Sequence, residues 1–266
     1  MANVSRPRIG VILPESEHAM DGETPRWRDI LGMARTAEEV GFDSIWLTDH
    51  LIFRREEGTF GPWESWSMVA ALAAATSRVE IGTFVSCAGF RNPALFAKMA
   101  DTVDEVSGGR LILGLGAGWN EAEYRAFGYP FDNRVSRFEE AIQIIAPLLR
   151  NGQVDFQGRF YQARECELRP RGPRPDGLPI MVGTTGPRML RIAARFADLW
   201  NSLSIRPEGV PELSRRVDEA CRDTGRDPQT LGRTIETRIR FTELPQRRPD
   251  EGETLSGPPE EVAATL

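Results

Sequence analysis

The stretch 79–124, VEIGTFVSCAGFRNPALFAKMADTVDEVSGGRLILGLGAGWNEAEY, constrains the fold more than any other part of this chain. It predicts a strand, a loop, a helix, a second strand and a glycine-rich turn into another helix. Both strands end in small or polar residues. Ligands of parallel α/β proteins bind at these carboxyl ends of strands, so the stretch predicts a fold class and the place of a site.

The same alternation of short apolar runs and helical periodicity runs through all 266 residues. Continuous apolar runs such as 9–13 indicate strands buried on both faces. Seven strand–helix units favour a (β/α)8 barrel, the TIM barrel, over an open parallel sheet. Strands are predicted at 9–13, 42–48, 79–85, 111–115, 179–182, 198–200 and 234–241. Helices are predicted from Pro25 to the glycine at 41, at 64–75, 93–106, 137–149 and 208–224, and from Pro187 onward.

The count of units falls one short of a closed barrel. The final residues, 258–266, predict the first turns of a helix, with proline at its first position. We therefore expect an α/β barrel whose last β/α unit is missing from this chain. A single domain over 1–266 is expected, with an excursion hairpin at Gln157–Gly158 and a loop within 151–178.

Composition narrows the classes of function. The chain has 33 basic and 39 acidic residues, a net charge of −6, which argues against nucleic acid as a partner. No apolar run approaches the roughly 20 residues that span a bilayer, so no membrane partner is expected. Three cysteines without a C-x-x-C pair fit a reducing cytoplasm. Two histidines are too few for a His-rich metal site, so no metal is expected.

Asp49 and His50 close the second predicted strand, on the edge where barrels place catalytic groups. His50 is predicted to act as an acid/base or to contact a cofactor, because its unperturbed pKa lies near neutral pH. A structural histidine and an aspartate that only caps the next turn are the alternatives. The following segment, 51–63, is either a lid with Phe53, Phe60 and Trp63 as an apolar wall or a plain surface loop.

Two glycine-rich turns follow later strands. In the first, glycines 114, 116 and 118 let backbone approach a ligand, Trp119 offers a stacking surface, and Glu121 a carboxylate. Its G-x-G-x-G spacing disfavours a dinucleotide fingerprint, and a tight turn with a capping glutamate is the alternative. The second, Gly183-Thr184-Thr185-Gly186, precedes a helix opened by Pro187 and is predicted to bind an anion, or to be turn chemistry alone.

Together these segments make the chain resemble the luciferase-like monooxygenase superfamily, and within it the branch that uses the deazaflavin F420. The resemblance runs from residue 9 to the end of the chain. Its carriers are GFDSIWLTDHL (41–51), RNPALFAKMADTVDEVSGGRLILGLGAGWNEAEYRAFG (91–128), RFEEAIQII (137–145), PIMVGTTGPRMLRIAARFADLWN (179–201) and SGPPEEVAATL (256–266).

The resemblance implies a barrel that binds F420, or alternatively FMN, at the carboxyl ends of its strands. It places Ser86-Cys87 where a non-proline cis peptide backs the deazaflavin ring. It also implies that His50, Asp49 and Ser86 lie near that ring. The first turn, with Gly116, Gly118, Trp119, Asn120 and Glu121, would line the ring and side chain, and Gly183, Thr184, Thr185 and Gly186 would hold the ribityl-phosphate region.

We therefore expect an F420-dependent oxidoreductase that transfers a hydride between deazaflavin and a small organic substrate. His50, Asp49 and Glu121 are the predicted catalytic residues. An FMN-dependent monooxygenase that uses reduced flavin and oxygen is the alternative within the same fold. A non-catalytic barrel that binds a ligand or partner subunit is the alternative of another class. A homodimer or higher homo-oligomer is expected.

Overall fold

A computed structural model describes residues 7–20, 22–56, 58–202, 207–243 and 254–265. The chain divides into two compact units, Met1–Ile180 and Met181–Leu266. Both contain parallel strands joined by helical crossovers, so the predicted α/β class is confirmed. Within the described ranges, no helix has the length and apolar character needed to cross a membrane.

The first unit contains nine strands and five α-helices among its described residues. In chain order these are β1 (Gly10–Ile12), α1 (Trp27–Val40), β2 (Ser44–Leu47), β3 (Phe53–Arg55), β4 (Gly58–Phe60), α2 (Ser65–Ala75), β5 (Glu80–Thr83), β6 (Ser86–Cys87), α3 (Pro93–Ser107), β7 (Leu111–Gly116), α4 (Glu121–Phe127), α5 (Arg134–Asn151), β8 (Gln153–Gln157) and β9 (Gln162–Glu167). Strands β1, β2, β5 and β7 are parallel neighbours in that order, and β6 pairs with β7.

The core of the first unit forms around strands that are buried along their length. All six residues of β7 are buried. On the neighbouring strands, the indole of Trp46 occupies space that a side chain at Gly10 or Gly82 would fill, and a Cβ at either glycine would collide with it. The Trp46 Nε1–H donates to Ser44 Oγ at 2.8 Å. The two glycines therefore allow a large aromatic side chain to lie across adjacent strands.

Capping residues set the ends of the helices, and they explain one shift from the sequence prediction. Helix α1 begins at Trp27, two residues after the predicted start at Pro25, because Asp29 accepts a hydrogen bond from the Arg26 N–H at 2.9 Å. Helix α3 begins at Pro93 as predicted, and the Asn92 carboxamide oxygen caps it. Helix α5 begins at Arg134, three residues before its predicted start.

Two connections of the first unit differ from the expected loops. Segment 51–63 contains a short antiparallel pair, β3 with β4, rather than only irregular chain. The excursion hairpin is confirmed around Gln157–Gly158, but its turn is longer than these two residues and spans 158–161 between β8 and β9. The Glu140 carboxylate sets this position, since it accepts the amide N–H groups of Arg159, Phe160 and Tyr161.

The second unit begins at the second residue of β10 (Ile180–Gly183). It also contains α6 (Pro187–Phe196), β11 (Leu199–Ser202), α7 (Val210–Asp223), β12 (Gly232–Ile235), β13 (Arg238–Phe241), β14 (Thr254–Gly257) and α8 (Pro259–Thr265). Strands β10, β11 and β12 are parallel neighbours, and β13 pairs separately with β14. The single strand predicted at 234–241 is therefore wrong. The chain divides there because β12 pairs with β11 while β13 takes another partner.

Candidate active site

A buried carboxylate holds His50 at the carboxyl end of β2. The His50 Nδ1 lies 3.0 Å from Glu123 Oε1 and 3.3 Å from Oε2. Glu123 also accepts the Leu51 N–H at 2.9 Å. The Glu123 side chain is 2% exposed, whereas that of His50 is 19% exposed. The imidazole is thus fixed at one nitrogen and partly open to solvent.

This contact decides what the His50 ring can do chemically. An ionised carboxylate only accepts hydrogen bonds, so Nδ1 carries the hydrogen toward Glu123. In a neutral imidazole the other nitrogen, Nε2, then holds the lone pair. Nε2 is therefore the atom of His50 that can take up or give back a proton.

Both carboxylate oxygens of Asp49, the neighbour of His50, accept hydrogen bonds from other residues of the protein. Its Oδ2 accepts Arg91 Nη1 at 2.6 Å and the Cys87 N–H at 3.0 Å, and its Oδ1 accepts Arg91 Nη2 at 3.0 Å. Burial raises the pKa of the Asp49 carboxyl, and the Arg91 guanidinium opposes that rise. Arg91 also pairs with Glu64 at 2.9 Å. The geometry makes Asp49 an anchor between β2 and β6, and its predicted catalytic role stays a prediction.

Glu121 makes its ion pair on the surface, not with His50, and its predicted catalytic role stays a prediction. It is exposed and pairs with Arg125 at 2.8 Å along the surface of α4. Residues two apart on a helix are separated by about 200° around its axis, so Glu121 and Glu123 point to different sides. The carboxylate that meets His50 is Glu123, which the sequence analysis missed. Its position beside Tyr124, on the buried face of α4, was the available signal.

Ser86 and Cys87 are buried on β6, and both side chains contact other residues of the protein. Ser86 Oγ accepts the Trp66 Nε1–H at 3.0 Å, and Cys87 Sγ lies 2.7 Å from the Tyr124 hydroxyl oxygen. Burial raises the pKa of the Cys87 thiol to about 12, so the thiol is protonated at neutral pH. This agrees with the sequence argument against a nucleophilic cysteine.

The cis peptide implied at Ser86–Cys87 lies elsewhere. The bond between Phe84 and Val85 is cis, two residues earlier, and Ser86–Cys87 is not among the cis bonds. Ser86 already pairs in regular parallel register with Leu115 on β7, which leaves the irregular backbone to the segment between β5 and β6.

The turn after β7 is held by hydrogen bonds to its backbone and side chains. The Tyr124 hydroxyl donates to the Ala117 carbonyl at 3.0 Å, and Arg134 Nε donates to the Gly118 carbonyl at 3.1 Å. Gly118 has a φ of +75°, and a Cβ there would collide with the Tyr124 hydroxyl and the Cys87 sulfur. Gly116 is the last residue of β7 and pairs with Cys87. The predicted turn is therefore tied directly to β6.

Aromatic rings surround the open side of His50. Trp119 and Phe53 lie with their ring centroids 5.4 Å and 4.6 Å from that of His50. Phe60 stacks on Phe53 at 5.3 Å. Trp63, predicted as part of this wall, instead donates its Nε1–H to the Pro25 carbonyl at 2.7 Å. Phe53 and Phe60 are brought to the site as predicted, and Trp63 is not.

A second buried carboxylate, Glu15, contacts Thr48, two residues before His50, and was missed by the sequence analysis. It accepts both the amide and the hydroxyl of Thr48, just after β2. Burial raises the pKa of Glu15, while the Thr48 hydrogen bonds and the charge of His50 oppose the rise. His50 therefore lies within electrostatic reach of Glu15 as well as in contact with Glu123.

The other glycine-rich turn, Gly183–Gly186, belongs to the second unit. The Thr184 N–H donates to the Asn201 carbonyl at 3.0 Å, and Trp200 Nε1 donates to the Thr184 carbonyl at 2.8 Å. Helix α6 follows without a side-chain cap at Gly186. At the end of β11, the buried atoms Asn201 Oδ1 and Ser202 Oγ have no hydrogen-bond partner within the described structure.

The sequence profile that describes the luciferase-like monooxygenases matches residues 7–264. The chain belongs to this family. Among curated relatives of this luciferase-like chain, an F420-dependent glucose-6-phosphate dehydrogenase from Amycolatopsis mediterranei is 33% identical over 80% of the chain and 65% of the relative. A 5,10-methylenetetrahydromethanopterin reductase from Archaeoglobus fulgidus is 33% identical over 62% of the chain and 46% of the relative.

A third relative is named as a ketoreductase. The phthiodiolone/phenolphthiodiolone dimycocerosates ketoreductase of Mycobacterium tuberculosis is 34% identical over 73% of the chain and 56% of its own length. The luciferase-like chain thus spans between 46% and 65% of these three relatives. All three are named as oxidoreductases.

Solved structures share the fold. An F420-dependent secondary alcohol dehydrogenase with an F420–acetone adduct aligns with a TM-score of 0.77 and 24% identity, over 89% of the chain and 70% of its own. The F420-dependent tetrahydromethanopterin reductase of Methanopyrus kandleri aligns with a TM-score of 0.74 and 21% identity, over 90% of the chain and 68% of its own. A riboflavin lyase with modified FMN aligns with a TM-score of 0.77 and 14% identity, over 90% of the chain and 63% of its own. At these identities the likeness concerns the fold alone, and it supports the predicted barrel class.

Proposed function

We propose that this protein is an F420-dependent oxidoreductase that transfers a hydride between the deazaflavin and a small organic alcohol or ketone. The observation that carries the proposal is the His50–Glu123 pair: a partly exposed imidazole, fixed through Nδ1 by a buried carboxylate 3.0 Å away. F420-dependent enzymes among the relatives support the choice of cofactor. FMN remains the alternative, since FMN occurs in a structural neighbour.

Bound F420 would supply the hydride chemistry. The residues of this chain would supply orientation and proton transfer. His50 Nε2 takes the proton from a substrate hydroxyl as the alcohol becomes a carbonyl, and returns it in the reverse direction. The buried Glu123 carboxylate keeps Nδ1 protonated and stabilises the imidazolium that forms. Phe53 and Trp119 cover the ring and exclude water from one side of it.

The residues present fit a cofactor with a phosphate and a polyhydroxylated chain. In the second unit, the first amides of α6 are left without a side-chain cap, and such helix starts bind anions. The unpartnered oxygens of Asn201 and Ser202 fit hydroxyl donors. We therefore keep Gly183, Thr184, Thr185 and Gly186 as the proposed phosphate-binding residues. A homo-oligomeric state stays a prediction.

A side-by-side titration with F420 and FMN tests the cofactor. We expect F420 fluorescence to change on saturation with the protein, and an alcohol to bleach the oxidised cofactor. His50→Asn should retain F420 binding and lose turnover. Tight FMN binding with oxygen uptake, and no response to F420, would support the monooxygenase instead. Binding of neither cofactor would contradict both.

A further inference from the structure

The rings around His50 bear on which substrates can reach it. We propose that Phe53, Phe60 and Trp119, here called the aromatic mouth, select a neutral alcohol or ketone whose carbinol or carbonyl carbon carries an apolar, preferably aromatic, substituent. Phosphorylated substrates are excluded. This inference rests on the proposed function, since it names the substrate class of the same site.

The geometry of the aromatic mouth is that of a ring-binding surface. Phe53 and Phe60 stack with 26° between their planes, and Phe53 lies 6.4 Å from Trp119 at 35°. The His50 ring stands against both, at 50° to Phe53 and 73° to Trp119. Trp119 is 63% exposed. A large aromatic side chain left exposed beside a buried acid/base pair offers an apolar face to an incoming group.

Hydrogen bonds hold the two loops of the aromatic mouth together. Asn120 Nδ2 donates to the Ile52 carbonyl at 2.9 Å, which links the turn after β7 to the hairpin β3–β4. Pairing of Phe53 with Phe60 sets the register of that hairpin. Because these contacts are made by the protein alone, the rings are already positioned for a substituent and little ordering is needed on binding.

The charges around His50 disfavour anionic substrates. The acidic side chain in contact with it, Glu123, is buried. The nearby guanidinium of Arg91 forms ion pairs with Asp49 and Glu64. A phosphate close to His50 would therefore lie beside the Glu123 carboxylate, and the guanidinium of Arg91 is already neutralised by its own partners. The guanidinium carbon of Arg55 lies 5.3 Å from the centroid of the Phe60 ring, and its positive charge disfavours a cationic substituent beside Phe60.

The test compares three alcohols with the intact, F420-loaded protein. We expect kcat/KM for 1-phenylethanol to exceed that for 2-propanol by roughly tenfold or more, the range that an apolar pocket provides. Glucose 6-phosphate should give no turnover. Phe53→Ala and Phe60→Ala should each reduce the preference for 1-phenylethanol several-fold while F420 affinity stays within about twofold. Phe53→Leu, which keeps an apolar side chain, should retain part of the preference.

Phe127→Ala is the matched control, because Phe127 is an exposed phenylalanine on α4 outside the aromatic mouth. Its substitution should leave the preference unchanged. A higher kcat/KM for glucose 6-phosphate, or for an amino alcohol, would overturn this inference and leave the F420 function standing. An unchanged preference in folded Phe53→Ala and Phe60→Ala would also overturn it. Failure of F420 to bind at all would overturn the proposed function and this inference with it.

Discussion

Asp49 and His50 are neighbours in the sequence, yet Asp49 is buried and His50 is partly exposed. Asp49 is 3% exposed and both its oxygens accept hydrogen bonds from Arg91 or the Cys87 amide. His50 is held through one nitrogen and keeps the other for chemistry. An acid beside a histidine in the sequence therefore need not act with it, and the acid that contacts His50 comes from helix α4.

Removal of the Asp49 carboxylate should cause the largest loss of stability. Asp49→Ala leaves the buried Arg91 guanidinium without its bidentate partner and should cost about 3–5 kcal/mol in the free energy of unfolding. Urea denaturation measures this loss. Glu121→Ala is the matched control, because its carboxylate forms an exposed pair, and it should cost less than about 1 kcal/mol. Equal losses in the two variants would refute the anchoring role of Asp49.

The second prediction concerns His50. His50→Asn should lower kcat by roughly 10²–10⁴-fold, the usual contribution of general acid–base catalysis. The free energy of unfolding should change by less than about 1 kcal/mol, because the ring is partly exposed and the asparagine Nδ2–H can replace Nδ1–H as the donor to Glu123. Steady-state kinetics and urea denaturation of the same preparation separate the two effects. A variant with full activity would remove His50 from the mechanism.

A third prediction concerns Gly118, in the turn after β7. Gly118→Ala should destabilise the protein by about 1–3 kcal/mol more than Gly128→Ala, as overpacking does. Both glycines have positive φ, +75° and +77°, but a Cβ at Gly128 meets no atom within 4 Å. The backbone strain is thus matched, and the difference isolates the collision with Tyr124 and Cys87. Equal melting temperatures would show that the turn can move aside.

The smallest effect is expected at Cys87, whose amide serves Asp49. Its thiol pKa of about 12 in the folded protein exceeds the ordinary value near 8.5. Its contribution to stability is therefore complete below about pH 8.5, and it is lost as the pH rises from there toward 12. Alkylation by iodoacetamide at pH 8, followed by mass spectrometry, should label Cys87 only after unfolding. Rapid labelling of the native protein would contradict the buried, protonated thiol.

Much of the fold could be predicted from the sequence because its signals are local. Buried runs such as Leu111–Gly116 and caps such as Asn92 depend on neighbours a few residues away. The division of 234–241 into two strands could not be predicted, because it depends on which distant strand each half pairs with. For the same reason the length of the hairpin turn could not be predicted, because Glu140, on another element, binds its amides.

The α/β class, the family and the strand ends at which the candidate site residues lie follow from the sequence alone. Which side chains meet there depends on the tertiary structure. It chose Glu123 over Glu121 for His50, Arg91 for Asp49, and Phe53 with Trp119 over Trp63 for the aromatic wall. The physical reason is that a contact across 73 residues of sequence depends on the packing of α4 against the hairpin after β2, which no local pattern encodes.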